Sequence, residues 1–146
     1  MQYQKPKVYN INIRRENNSM STRSNIGILE KDGTVYTIYC HFDGYPRHHF
    51  PILSKFSEAD FRELILLGDI SQLAPQISPL AGRMHSFDQP AANTVVAYHR
   101  DRGEEYHAPR KRNKQNCCEQ EYAYLYDVER KLLIWSADGT TWKEAY

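Results

Sequence analysis

The sequence predicts an α+β fold: an antiparallel sheet of about five strands, with one main helix (residues about 57–68) packed on one face. Three observations carry that expectation. Residues 25–40 and 121–136 each read as two strand-like arms joined by a short polar turn. Residues 94–99 add a short β-branched run, Thr94-Val95-Val96-Ala97-Tyr98-His99. Ser57 opens the one stretch whose apolar residues recur at helical spacing.

Residues 1–19 differ from the rest and are expected to be an N-terminal extension or an edge strand. Tyr9, Ile11 and Ile13 alternate as a strand would, a loose arm is the other reading, and Met20 begins a segment that starts like a natural N-terminus. Residues 20–146 are then a single α+β domain, within the usual size of one core. In the first hairpin, Asp32-Gly33 suits a two-residue turn with positive φ, and the arm after it (Val35, Tyr36, Thr37, Ile38, Tyr39) is β-branched and aromatic. His41-Phe42-Asp43-Gly44-Tyr45-Pro46 follows as a tight loop, with Gly44 expected to accept positive φ.

Ser57 is a good N-cap, and Glu58 and Asp60 place negative charge where the helix dipole favours it. Phe61, Leu64, Ile65 and Leu67 give the apolar stripe, and Gly68 the stop. Residues 74–93, with Pro75, Pro79, Gly82 and Pro90, read as a long loop, and residues 100–120 as a polar, charged one. The second hairpin runs from residues 121–128 to 131–136 across Glu129-Arg130, with Tyr122, Tyr124 and Tyr126 on one face. Asp138-Gly139 is a further turn, and Trp142 an aromatic anchor.

Composition excludes several classes. With 19 basic and 18 acidic residues the net charge is +1, so nucleic-acid binding driven by overall charge is not expected. An aromatic content of 12% argues against whole-chain disorder, and collagen, coiled-coil and disulfide scaffolds do not fit. The cysteines are Cys40, Cys117 and Cys118; an odd number with an adjacent pair reads as reduced thiols, hence a cytoplasmic setting. The longest apolar stretch, from Leu64 to Leu67, is far too short for a membrane span, and the N-terminus lacks an apolar signal core. Eleven tyrosines and a thin aliphatic content lead to the expectation of a homo-oligomer, with the Tyr122/Tyr124/Tyr126 face needing cover.

Several clusters have the residue types that chemistry needs. His41 and Asp43 would share a side on a strand end and bind a metal or orient an acid-base imidazole; the structural reading is a capped loop. In Tyr98-His99-Arg100-Asp101-Arg102, a strand would place Arg100 and Arg102 on one face, where two guanidiniums suit a phosphate; the plainer reading is a self-paired surface cluster. His41, Asp43, His99 and Asp101 together would make a hydrolytic metal site if their segments met. Arg23 sits in a Ser-Thr-Arg-Ser run rich in donors for a phosphate. The run Arg110-Lys111-Arg112-Asn113-Lys114 could close over an anion as a mobile loop. His48 and His49 read as surface residues, since adjacent side chains on a strand point apart.

The segments Ser21-Thr22-Arg23-Ser24-Asn25-Ile26 and Ile38-Tyr39-Cys40-His41-Phe42-Asp43-Gly44-Tyr45-Pro46 resemble a group of small phage and prophage proteins of uncharacterised function. Leu67-Gly68-Asp69-Ile70-Ser71 and residues 96–104 are similar to that group as well, so the likeness covers about residues 20–135. It implies a phage accessory protein acting in the host cytoplasm and assigns no catalytic residue. Such proteins counter host defence, and the expectation is sequestration of an anionic, nucleotide-derived immune signal. The ligand-binding residues would be Arg23, His41, Asp43, Tyr45, Tyr98, His99, Arg100 and Arg102. The alternatives are an inhibitor docking on a host defence protein, such as a CRISPR effector or nuclease, and a metal-dependent phosphodiesterase. No cofactor, resident metal or membrane contact is expected.

Overall fold

The computed structural model describes residues 21–146, so the expectation for residues 1–19 lies outside the described residues. The elements in chain order are β1 (Ser24–Leu29), β2 (Val35–Cys40), α1 (Pro46–Leu53), α2 (Glu58–Leu66), β3 (Ile70–Gln72), β4 (Val96–Ala97), α3 (Tyr98–Arg102), β5 (Arg110–Arg112), β6 (Tyr122–Asp127) and β7 (Leu132–Ser136). They build one sheet in the order β4-β3-β2-β1-β6-β7, with β5 also paired to β2. The α+β class holds, but the sheet has seven strands and is mixed rather than purely antiparallel. β1 pairs in parallel with β6, Ser24 opposite Tyr122, and β2 in parallel with β3.

Both hairpins form. In the first, the turn is longer than a two-residue one: Glu30 N–H donates to Thr34 O at 2.8 Å and Gly33 N–H to Glu30 O at 3.0 Å. Gly33 takes φ 94°, while Asp32 stays at negative φ and caps Thr34 N–H through its carboxylate. Only one left-handed residue is needed, and glycine adopts it without steric cost. In the second hairpin, Asp127 Oδ1 accepts the N–H groups of Glu129 and Arg130, and Lys131 turns the chain at φ 57°.

α2 starts as expected. Ser57 Oγ accepts Asp60 N–H, and the Asp60 carboxylate accepts Ser57 N–H, closing a capping box. The helix lies across β1 and β2 and buries Phe61, Leu64 and Ile65. Each such side chain is worth roughly 1.5–3 kcal/mol by area. Opposite them stand Ile26, Ile28, Ile38, Tyr124 and Trp135, the main core. A smaller core of Val35, Cys117, Leu125 and Ile134 fills the other face, with Trp142 packed against it.

Four expectations for local structure fail. Residues 46–53 are a helix, not a loop, with Pro46 in the first turn, where a missing N–H costs nothing. The strand expected over residues 94–99 is only Val96–Ala97; from Tyr98 the chain turns helical and stops at Gly103, in a left-handed conformation. The basic run contributes β5, an edge strand, rather than a mobile loop. The positive φ falls on Asp43 (58°), not on Gly44, which is glycine because a Cβ there would stand 2.8 Å from Ser24 Cβ and 2.9 Å from Thr22 O.

The tyrosine face is covered from within the chain. Phe61 meets Tyr126 at 5.2 Å between ring centroids, and His49 meets Tyr124 at 5.0 Å. One reason for expecting an oligomer therefore falls away. His49 is fully buried, contrary to its expected place on the surface: its Nε2 pairs with Ser24 Oγ at 2.9 Å and its Nδ1 with His48 Nδ1 at 3.0 Å. Burial, with His48 beside it, lowers its pKa to about 3. Among the described residues, no helix is long and apolar enough to cross a membrane.

Candidate ligand site

β1 and β2 place Asn25 and Tyr39 opposite each other on the face away from α2. Tyr39 and Asp69 line two adjoining hollows. One, of about 340 Å³, is completed by Asn25, Arg110, Arg112, Glu119 and Gln120. The other, of about 220 Å³, is completed by Tyr98, His99, Glu104, Glu105 and His107. The result is a polar trough with Tyr39 at its middle, arginines at one end and carboxylates with histidines at the other.

Its walls are held by charge. Asp69 accepts both outer nitrogens of Arg110, at 2.7 and 2.9 Å, and Tyr39 N–H at 3.0 Å. Burial pushes the Asp69 carboxyl up, yet Arg110, the Tyr39 N–H and His107 together hold it below the usual value. Asn25 Oδ1 accepts the N–H groups of Glu119 and Gln120, tying the approach to β6 onto β1. Arg112 bonds Glu119 at 3.2 Å, and Arg23 lies 3.7 Å from Glu121, both exposed pairs. Arg23 also acts electrostatically on Tyr39 and His41.

His41 stands beside the trough. Its Nδ1 is 2.6 Å from the Tyr39 hydroxyl and its Nε2 is 3.0 Å from Ser21 Oγ. Burial, then Arg23, lowers its pKa below 6.5, so the ring is neutral at neutral pH. The Tyr39 phenol is shifted up, chiefly by burial.

The expected site residues divide. Arg23, His41, Tyr98 and His99 gather around Tyr39. His99 Nδ1 is already bonded to Glu104 O at 2.8 Å. Asp43 and Tyr45 do not join them: the Tyr45 hydroxyl donates to Asp43 at 3.4 Å, and Tyr45 lines a shallow hollow with Pro46, Arg47 and Tyr146. Arg100 is not a phosphate arm. Its guanidinium is consumed by Asp101, by Ile77 O at 2.8 Å and by Val95 O at 2.7 Å. Arg102 lies over the Phe87 ring at 4.1 Å and pairs with Glu104. The shared face expected for the two arginines was a strand's, and this segment is helical.

The four supposed metal ligands stay apart. Asp101 is locked to Arg100 and His85, and His41 to Tyr39 and Ser21. Among the described residues, no group of three or more His, Cys, Asp or Glu side chains could hold a metal ion.

Sequence reasoning missed Asn25, Tyr39 and Asp69 as site residues, and offered Arg110 and Arg112 only as part of a mobile loop closing over an anion. The usable signal was the alternation of Arg110 and Arg112, which share a side on a strand. Asp69 carried none, because its role depends on where β5 docks. Comparison with known protein families, characterised proteins and solved structures finds no match to this chain. The likeness to small phage proteins therefore rests on the residues quoted for it alone.

Proposed function

We propose that this chain is a binding protein that holds an anionic, nucleotide-class small molecule in the Tyr39 trough. The observation that supports the reading is that two tyrosine rings, Tyr39 and Tyr98, and two arginines, Arg110 and Arg112, line adjoining hollows, with Arg23 close enough to act on Tyr39. The combined hollow has the scale of a small-ligand site, and phenol rings give a base something to stack on. Arg112–Glu119 is an exposed pair, worth about 0–1 kcal/mol, so a phosphate can displace that carboxylate at little cost. At the other end Glu104 and Glu105 offer acceptors, which favour a base edge carrying an amino or imino donor.

In the setting the phage likeness implies, the ligand is a nucleotide-derived immune signal and the function is sequestration. A thermal-shift screen with cyclic nucleotides and ADP-ribose derivatives tests the reading. A ligand at 100 times its dissociation constant stabilises by about 2.7 kcal/mol. Arg112→Ala and Tyr98→Ala should reduce that shift without lowering the ligand-free midpoint to match. No shift with any member of the panel refutes the reading.

A second reading, an inhibitor seated on a host defence protein, is favoured by a different surface. A hollow of about 640 Å³ runs between α1, α2 and residues 75–80, with Ile52, Phe56 and the exposed Leu80 in its lining. A stoichiometric protein partner recovered from host lysate, lost on Leu80→Glu, supports it; retention after that change counts against it.

A further inference from the structure

Two Ser–His pairs lie near each other in sequence and differ in one respect. Ser24 and His49 are wholly enclosed, and no reagent reaches them. Ser21 and His41 are half-buried beside the trough, with Oγ to Nε2 at 3.0 Å. The second nitrogen of His41 meets the Tyr39 hydroxyl at 2.6 Å, making a chain of hydroxyl, imidazole and phenol. In such a chain the third group orients the base that activates the first.

The imidazole is held in place. The His41 backbone N–H donates to Ile70 O and the Phe42 backbone N–H to Ser71 O, fastening this strand end to β3. Phe42 also lies edge-on to the ring, 4.5 Å between centroids. Arg23, two residues beyond Ser21, brings a positive charge close enough to act on the His41 ring.

We propose that Ser21 is a nucleophile towards phosphorus, with His41 as its general base and Tyr39 as a positioning residue. The working tautomer has Nδ1–H donating to Tyr39 Oη, which leaves the Nε2 lone pair to accept the Ser21 proton. In the step, the Ser21 O–H bond breaks as the Oγ–P bond forms, and the proton passes to Nε2. The bond from phosphorus to the leaving oxygen breaks, that oxygen keeps the electron pair, and it takes the proton back from Nε2. Water then gives a proton to Nε2 as its oxygen bonds to phosphorus, the Oγ–P bond breaks with the electron pair staying on Oγ, and Oγ takes the proton from Nε2, which restores Ser21 and releases the phosphate product. For a physiological substrate this rests on the trough as the ligand site; the chemistry of Ser21 itself does not.

Diisopropyl fluorophosphate on the intact chain tests it, read by mass spectrometry. It needs no trough occupancy, so its outcome is separable from the nucleotide screen. The expected result is one adduct on Ser21, none on Ser24 and none on Ser21→Ala. His41→Gln, which keeps hydrogen-bonding capacity, should slow labelling roughly a hundredfold or more. The rate should rise with pH to a plateau whose midpoint lies below 6.5, and Tyr39→Phe should move that midpoint. A purely structural contact would move neither quantity. The proposal is overturned if Ser21 is unlabelled, or if it labels at the same rate in His41→Gln or in urea-unfolded chain.

Discussion

Replacing Asp101 with alanine should cost far more than its place in a charged surface run suggests. The carboxylate is 4% exposed and accepts four hydrogen bonds: from Ala97 N–H and Arg100 Nε at 2.8 Å, His85 Nε2 at 3.0 Å and Arg100 Nη2 at 3.1 Å. His85 Nδ1 accepts the N–H of Ala91 at 2.9 Å, so the ring proton sits on Nε2 and points at Asp101. Deleting the carboxylate leaves Arg100 with its charge uncompensated and two further donors without a partner. Breaking a buried pair from one side costs about 3–5 kcal/mol. For a domain of this size that lowers the midpoint of thermal unfolding by roughly 10 °C or more. Urea and thermal unfolding at neutral pH measure it. A loss below about 1 kcal/mol, the scale of an exposed pair, would refute the reasoning. The pH dependence gives a second check. Burial raises the Asp101 carboxyl, but Arg100, the Ala97 N–H and His85 bring it below its ordinary 3.8. A carboxylate lowered in the folded state stabilises above its unfolded value, and the gain is lost as pH falls through the folded one. The gap between wild type and Asp101→Ala should therefore be full at neutral pH and narrow below 3.8.

Three further outcomes follow from the same structure. Tyr124→Phe removes the buried hydroxyl that donates to Gly44 O at 2.6 Å and should cost about 1–3 kcal/mol in urea unfolding. Gly44→Ala forces a methyl against Ser24 and the Thr22 carbonyl and should destabilise by roughly 1–3 kcal/mol, with His41 proton shifts reporting the disturbance nearby. His49, lowered in the folded state to about 3, binds protons more readily when unfolded. Stability should therefore fall as pH drops from 6.5 towards 3, by about 2 kcal/mol at pH 5, and the slope should flatten in His49→Gln.

What the sequence made legible was local. The capping box needs only Ser57 and Asp60, and the two hairpins need only their own turns and alternating arms. α1 was hidden because Pro46 reads as a breaker, and because one of its buried positions is His49, which no apolar count includes. α3 was hidden because Tyr98 and His99 prolong a β-branched run, while the carboxylate of Asp101 curls back to the Ala97 N–H. The site was half legible. Arg23, His41, Tyr98 and His99 were named, yet the group that gathers them is Tyr39, whose position depends on Asp69 and on β5. That juxtaposition belongs to long-range pairing, which no window of sequence contains.

The parallel pairing of β1 with β6 bears on how the chain is made. During synthesis β1 leaves the ribosome nearly a hundred residues before its parallel partner β6. Until then β1, the middle strand of the finished sheet, shows a bare row of amide donors and acceptors, which invites the wrong neighbour. A fragment ending ahead of Tyr122 would keep all three helices and the first hairpin, yet leave β1 without its parallel partner. Pairing of β1 with β6 thus spans the longest sequence separation in the sheet, and pairings of that kind are intrinsically slow to form.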